Sequence, residues 1–183
     1  FNFRKTKANT EGITERFFWS KLIEIQDNFK LFTNIQVGMY FPDFLIETQY
    51  GNLVDVEIDE MYNMKTGIPT HYISNDGYHF DSTRNNFFIS NGICVLRFTE
   101  NQIVNSTSGC IKIILGLIEI MDANEDIPID NLIKIVPNEE PWNEEHARAS
   151  AKNLERQKLL IEKGLLNRLI AISQGIDLPK RST

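Results

Sequence analysis

The segment Leu53-Val54-Asp55-Val56-Glu57-Ile58-Asp59 alternates apolar and acidic residues without a break. Alternation with period two specifies a β-strand, because successive side chains leave opposite faces of the pleat. Val54, Val56 and Ile58 then face one way, and Asp55, Glu57 and Asp59 the other. A second apolar run, Phe41-Pro42-Asp43-Phe44-Leu45-Ile46, precedes it and also carries a carboxylate. A hairpin closed near Tyr50-Gly51 sets Asp43 beside Glu57 and Asp59. Crowded carboxylates repel one another, so the pairing demands a counter-charge. A hard divalent cation with oxygen ligands meets that demand.

The rest of the chain bounds what can surround such a hairpin. Its 183 residues, 42% hydrophobic and 24% charged, suffice for one domain with a real core and a helical extension. No apolar run reaches the roughly 20 residues that span a bilayer. The polar start, FNFRKTKANT, lacks the apolar stretch of a signal peptide, so no membrane association is expected. The first residue is Phe rather than Met, as in a piece of a longer protein. Cys94 and Cys110 make no disulfide framework and read as reduced core residues of a cytoplasmic protein.

Charge is unevenly spread: residues 1–30 carry net +2, residues 31–145 net −13 and residues 146–183 net +5. A passive DNA-coating protein would show a broad basic face instead. Two readings fit the distribution. One is an acidic metal site with phosphate contacts supplied by the two ends, and the other is an acidic domain with a basic tail.

Periodicity predicts a helix over 10–29, capped by Thr10 or Thr14, with Phe17, Phe18, Leu22, Ile25 and Phe29 on one face. Strands follow over 31–37, 40–47 and 53–59. Residues 60–80 show no period and read as a long loop holding His71, His79, Tyr62, Tyr72 and Tyr78. A helix over 81–91, capped by Asp81 and ended by Gly92, leads into a buried strand, Ile93 to Phe98. Residues 109–121 form an apolar helix, and 122–131 an acidic loop. From about 142 the spacing of Ala147, Ala151, Leu154, Ile161, Leu165, Leu169 and Ile172 predicts one long helix or two, bent at Gly164. That helix covers the core, forms a dimer seam or connects to a partner. The order gives an α/β mixed sheet with helices on its faces.

Taken in order, several short motifs resemble the restriction-endonuclease-like, or PD-(D/E)XK, nuclease superfamily, and within it the branch around the very-short-patch-repair endonucleases. They are Glu15-Arg16-Phe17-Phe18-Trp19 on the first helix, Gln36, Pro42-Asp43-Phe44 and Val56-Glu57-Ile58-Asp59. Asp81 with Arg84, Gly92, Val95-Leu96-Arg97-Phe98 and Glu100-Asn101-Gln102-Ile103 follow. The likeness covers residues 10–121 and implies an αβββαβ nuclease domain there, with 122–183 as linker and C-terminal helical extension. It implies a divalent-metal-dependent nuclease that hydrolyses DNA phosphodiester bonds, an endonuclease of repair, restriction or phage defence. Mg²⁺ would be the cofactor, with Mn²⁺ able to substitute.

Asp43, Glu57 and Asp59 would be the metal ligands, joined by the Ile58 carbonyl, with Glu15 and Gln36 completing the catalytic set. DNA would be the partner, with a larger polypeptide, a partner subunit or a second copy meeting the C-terminal helices. The superfamily pattern places Lys where this chain has Asp59, and Lys65 and Lys21 are the candidates to replace its charge. Arg84 and Arg97 read as partners of carboxylates, and His71 or His79 as an acid, a base or a phosphate contact. The departure at Asp59 motivates an alternative: a catalytically inactive nuclease-fold module for nucleic-acid binding or assembly within a larger protein. A transferase or other metal hydrolase ranks last, because no nucleotide-binding Gly-rich loop is present.

Overall fold

The computed structural model describes residues 4–5, 12–123 and 130–179. In chain order the elements before the long loop are β1 (Arg4–Lys5), α1 (Ile13–Ile23), β2 (Lys30–Phe32), β3 (Ile35–Gln36), β4 (Phe44–Glu47) and β5 (Leu53–Asp59). After it come α2 (Ser82–Ser90), β6 (Ile93–Thr99), α3 (Glu100–Asn105), α4 (Thr107–Ala123) and α5 (Asp130–Ile133). The tail carries α6 (Glu144–Lys152), α7 (Glu155–Glu162) and α8 (Arg168–Gln174).

The acidic alternating segment is the centre of the molecule. It forms β5, an inner strand of a four-stranded sheet ordered β2-β4-β5-β6. β4 runs antiparallel to β2 and β5, whereas β6 lies parallel to β5. A parallel neighbour requires a crossover, and α2 supplies it. The result is an α/β architecture, a mixed sheet flanked by helices. Val54, Val56 and Ile58 pack on Phe18 and Leu22 of α1, Ile103 of α3 and Ile113, Ile114 and Leu117 of α4. On the opposite face, Leu45 and Ile93 pack with Phe88 of α2. Because both faces are covered, Asp55 and Glu57 are buried rather than facing water.

Local chemistry revises several element boundaries. α1 begins at Ile13 with Gly12 in the cap position. Thr14 caps nothing: it lies inside the helix, fully buried, and its hydroxyl donates to Glu100 Oε1 at 2.5 Å. Thr10 lies outside the described residues. The helix ends at Ile23, so Ile25 and Phe29 leave its face, and a 3₁₀ turn over Gln26–Asn28 follows. The expected strand over 31–37 is split in two. Asn34 takes a left-handed φ of 53°, and β3 leaves the main sheet to pair with β1. Asp81 occupies the cap position of α2, but its carboxylate does not cap the helix.

The tail holds three helices rather than one or two. Leu154, at φ 55°, separates α6 from α7, and Gly164, at φ 71°, ends α7. Of the expected acidic loop, residues 124–129 lie outside the described residues, and α5 follows them. Leu160, Leu166, Ala171 and Ile176 of the tail cluster on Ile13 of α1, so the extension covers one end of the core. No helix among the described residues is long and apolar enough to cross a membrane. Cys94 and Cys110 are free thiols.

Phe18 ties α1 to the sheet: it is 0% exposed and meets Phe44 and Phe98 edge-on at 6.0 and 6.3 Å. Replacing it leaves a cavity under the central strand. Phe18→Ala is expected to destabilise the chain by about 3–5 kcal/mol. Its exposed neighbour Trp19→Ala should change stability by no more than about 0.5 kcal/mol. Urea unfolding of the two variants checks the contrast.

Candidate metal centre

The register Phe44↔Val56 places the residue just before β4 opposite Glu57. Asp43 and Glu57 then lock each other. The Asp43 N–H donates to Glu57 Oε1 at 3.0 Å, and the Ile58 N–H donates to Asp43 Oδ2 at 2.8 Å. Burial pushes the Asp43 carboxyl up to about 6 against its hydrogen bond from Ile58, and the nearby charge of Glu60 pushes the same way. Glu57 is held well above the usual carboxylate range, by burial first and then by Asp43 and Asp55. At Glu57 the neighbouring acids Asp43 and Asp55 add to the penalty of burial, which a positive charge would relieve.

Arg84 of α2 supplies part of that charge. Its guanidinium grips Asp55 at two points, 2.7 and 3.1 Å, and reaches Glu57 Oε1 at 2.5 Å. Burial still raises the Asp55 carboxyl despite this partner. Phe88, one turn further along α2, lies under the guanidinium at 4.5 Å, so the arginine is packed as well as paired.

A second cluster lies at the end of β5. Asp59, His71 and Asp81 bring ligand atoms within 4.8 Å of one another, a group that could hold a metal ion. Arg97 of β6 already stands among them. It binds both oxygens of Asp59 and approaches Asp81 Oδ2 at 3.1 Å. His71 Nδ1 lies 2.8 Å from Asp81 Oδ2 and 3.0 Å from the Arg97 guanidinium. Burial disfavours a charged imidazole, but Asp81 and Asp59 outweigh it and hold the His71 pKa above its usual value. Nδ1–H therefore donates to Asp81. His71 also adopts a left-handed φ of 51°, a conformation that the loop imposes on a residue with a side chain.

The other expected residues fall in different places. Glu15 meets Glu60 above Gly12: a Cβ built there would lie 2.9 Å from Glu15 Oε1 and 3.1 Å from Glu60 Oε1. A side chain at this position would have to push the two flexible carboxylates aside. They line an open groove of about 500 Å³ with Arg16, Lys65 and Arg156. Gln36 turns back on its own chain and donates to the Gly38 carbonyl at 3.0 Å. Lys21 pairs with Glu24 at 2.7 Å on the surface of α1. Tyr62 is buried and donates to Gln157 at 2.7 Å, and Tyr72 stacks on Phe80 with ring centres 5.7 Å apart. Asp43 and Glu57 thus come together as the hairpin required, while Asp59 is held by Arg97 one step away.

Sequence reasoning passed over Glu60, Asp55 and Arg156. Glu60 follows directly on the acidic alternation and could have been read as its continuation around the strand end. Asp55 belonged to that alternation, but the arginine it would meet was not identifiable from spacing. No local pattern points from Arg156 to residues 56 and 96 positions away. The helix α3 did carry a signal, the capping box Thr99-x-x-Gln102, whose two reciprocal bonds both form.

The donor chemistry separates the two clusters as cation sites. Asp43 and Glu57 offer hard oxygen ligands whose repulsion a divalent ion would relieve. The Asp59–His71–Asp81 group offers an imidazole besides its two carboxylates, and each cluster already meets a guanidinium, Arg97 here and Arg84 at Glu57. Compared with protein-family models, curated proteins and solved structures, the chain matches none.

The raised Asp43 carboxyl makes stability depend on pH. Its pKa is 3.8 when unperturbed and about 6 in the folded chain. Between those values the native state binds a proton that the unfolded state has lost, so stability falls as pH rises from about 4 through about 6. The shift of Glu57 has the same sign. Asp43→Asn should flatten this part of the pH–stability curve, as read by thermal unfolding in metal-free buffer.

Proposed function

We propose that the chain is a divalent-metal-dependent nuclease, an endonuclease acting on DNA. Its core would be the αβββαβ nuclease fold of the restriction-endonuclease-like superfamily. The observation that carries this reading is the Asp43–Glu57 pair, half-buried at Asp43 and buried at Glu57, joined across β4 and β5 by hydrogen bonds from the Asp43 and Ile58 backbone N–H groups. These two residues would hold Mg²⁺, with Mn²⁺ as a substitute. A bound ion of this kind polarises a phosphoryl oxygen and lowers the pKa of a water.

The chain's own residues then have distinct tasks. Asp43 and Glu57 would have to be ionised to act as ligands, so cation binding is expected to strengthen as pH rises through the Asp43 value of about 6. His71 supplies the cation that Lys supplies elsewhere in the superfamily. Asp81 and Asp59 favour its charged form, and the ring lies within electrostatic reach of Asp43 and Glu60. With Nδ1 committed to Asp81, the Nε2 proton is the one available to a phosphate or a leaving oxygen. Asp59 anchors Arg97 and His71 rather than the ion.

One observation favours the second reading, a nuclease-fold module without catalysis. Asp55, Glu57 and Asp59 each already meet an arginine. The two readings part in a single assay on plasmid and single-stranded DNA with Mg²⁺ or Mn²⁺. The nuclease reading expects cleavage by the wild-type chain, its loss in Asp43→Ala and Glu57→Ala, and a drop of about 10²–10⁴ in His71→Ala. Equal cleavage by wild type and both acid variants removes the assignment. No cleavage, with DNA binding retained, favours the module.

A further inference from the structure

A polar cluster spanning 96 residues of sequence, from Glu60 to Arg156, starts from the tail. Arg156, on the first turn of α7, is 5% exposed and has no water-facing role. Its Nε and NH2 grip Glu100 of α3 at 2.5 and 2.7 Å. The same NH2 reaches Glu60 Oε1 at 2.7 Å, and NH1 donates to the Tyr62 carbonyl. The backbone is pinned too: the Arg156 N–H donates to the Tyr62 hydroxyl at 2.9 Å, and that hydroxyl donates to Gln157 at 2.7 Å. Glu100 passes the connection on, accepting the Thr14 hydroxyl at 2.5 Å. Thr14 is the residue beside Glu15.

One guanidinium therefore governs two acids by separate routes. It holds Glu60 directly, and through Glu100 it meets Thr14 on α1, the residue beside Glu15. Glu60 and Glu15 are the two carboxylates that meet over Gly12. Glu60 in turn lies within electrostatic reach of Asp43 and His71. Sharing the Arg156 guanidinium with Glu60 places a fixed positive charge immediately behind the acidic edge of the candidate site.

We infer that Arg156 is a positioning residue for the acidic site, fixing Glu60 directly and Glu15 through Glu100 and Thr14, so that the site is complete only with the C-terminal extension docked. The cation-affinity part of this inference rests on the Asp43–Glu57 reading, and the placement of Glu60 and Glu15 does not. Removing a residue that orients a metal centre from behind typically weakens affinity about ten- to a hundredfold.

The test uses the full chain and four proteins: wild type, Arg156→Lys, Arg156→Gln and Glu60→Gln. Glu60→Gln keeps the Arg156–Glu100–Thr14 connection, so it remains informative if an Arg156 variant does not fold. In metal-free protein, backbone amide shifts are recorded for Gly12, Glu15, Asp43, Ile58, Tyr62 and Glu100. In a second arm Mn²⁺ affinity is measured by calorimetric titration. The inference expects Arg156→Lys to shift the Gly12 and Ile58 amides as Glu60→Gln does. It also expects Mn²⁺ affinity to fall about tenfold or more in Glu60→Gln and Arg156→Gln, with partial recovery in Arg156→Lys. Shifts confined to Glu100 and Tyr62 in the Arg156 variants, or none at Ile58 in Glu60→Gln, overturn it. So does unchanged Mn²⁺ affinity in folded Glu60→Gln. If wild type itself binds no Mn²⁺, the metal reading fails and the amide shifts alone decide the placement of the two acids.

Discussion

A central β-strand is the most thoroughly buried backbone in an α/β protein, and here it carries carboxylates on one face. That arrangement is the constraint from which the rest follows. Burying an unpaired carboxylate costs several kcal/mol even after relaxation, so each acid must be neutralised by a proton or a cation. Asp55 receives Arg84 from the crossover helix, and Asp59 receives Arg97 from the parallel neighbour. Both arginines reach the acids because of where the fold puts them: β6 lies beside β5 in register, with Glu57 opposite Arg97 and Asp55 opposite Val95. Glu57 shares Arg84 and also faces Asp43, and there Asp43 and Asp55 add to the penalty of burial. The functional proposal grows from the Asp43–Glu57 pair.

The same charge logic explains the extension. Glu60 and Glu100 would be a second unpaired acidic group at the sheet's end. Arg156 answers both, and Tyr62 satisfies the remaining backbone and side-chain partners. Hydrophobic cover from Leu160 and its neighbours accompanies that ion cluster. Removing one partner from such a cluster strands a buried charge, whereas removing an exposed pair such as Lys21–Glu24 costs little. The tail is thus bound to the core by the chemistry that runs through the sheet.

How much of this was legible in the sequence depends on the range of each interaction. Period-two alternation announced β5, the hairpin register followed from it, and Asp43 and Glu57 came together as that register required. The apolar run of α4 and the Gly92 stop of α2 were equally local signals. The broken strand at Asn34 and the three-part tail were not, because left-handed residues other than glycine leave no strong mark. Thr14 and Asp81 looked like helix caps by residue type. Tertiary partners claimed both side chains instead, Glu100 for one and His71 with Arg97 for the other. The ion clusters were the least legible part. Which arginine meets which acid is decided by packing, and the pairs are 16 to 96 residues apart.

The proposal to be tested is that Asp43 and Glu57 hold a cation beside Arg84, and that Asp59 keeps Arg97. Crystals of the chain soaked in Mn²⁺, with anomalous scattering recorded at the manganese edge, test it most directly. The account predicts one strong anomalous peak bridging the carboxylates of Asp43 and Glu57, with Arg97 still bound to Asp59. A peak among Asp59, His71 and Asp81 with Arg97 displaced, or no peak at either place, would contradict it.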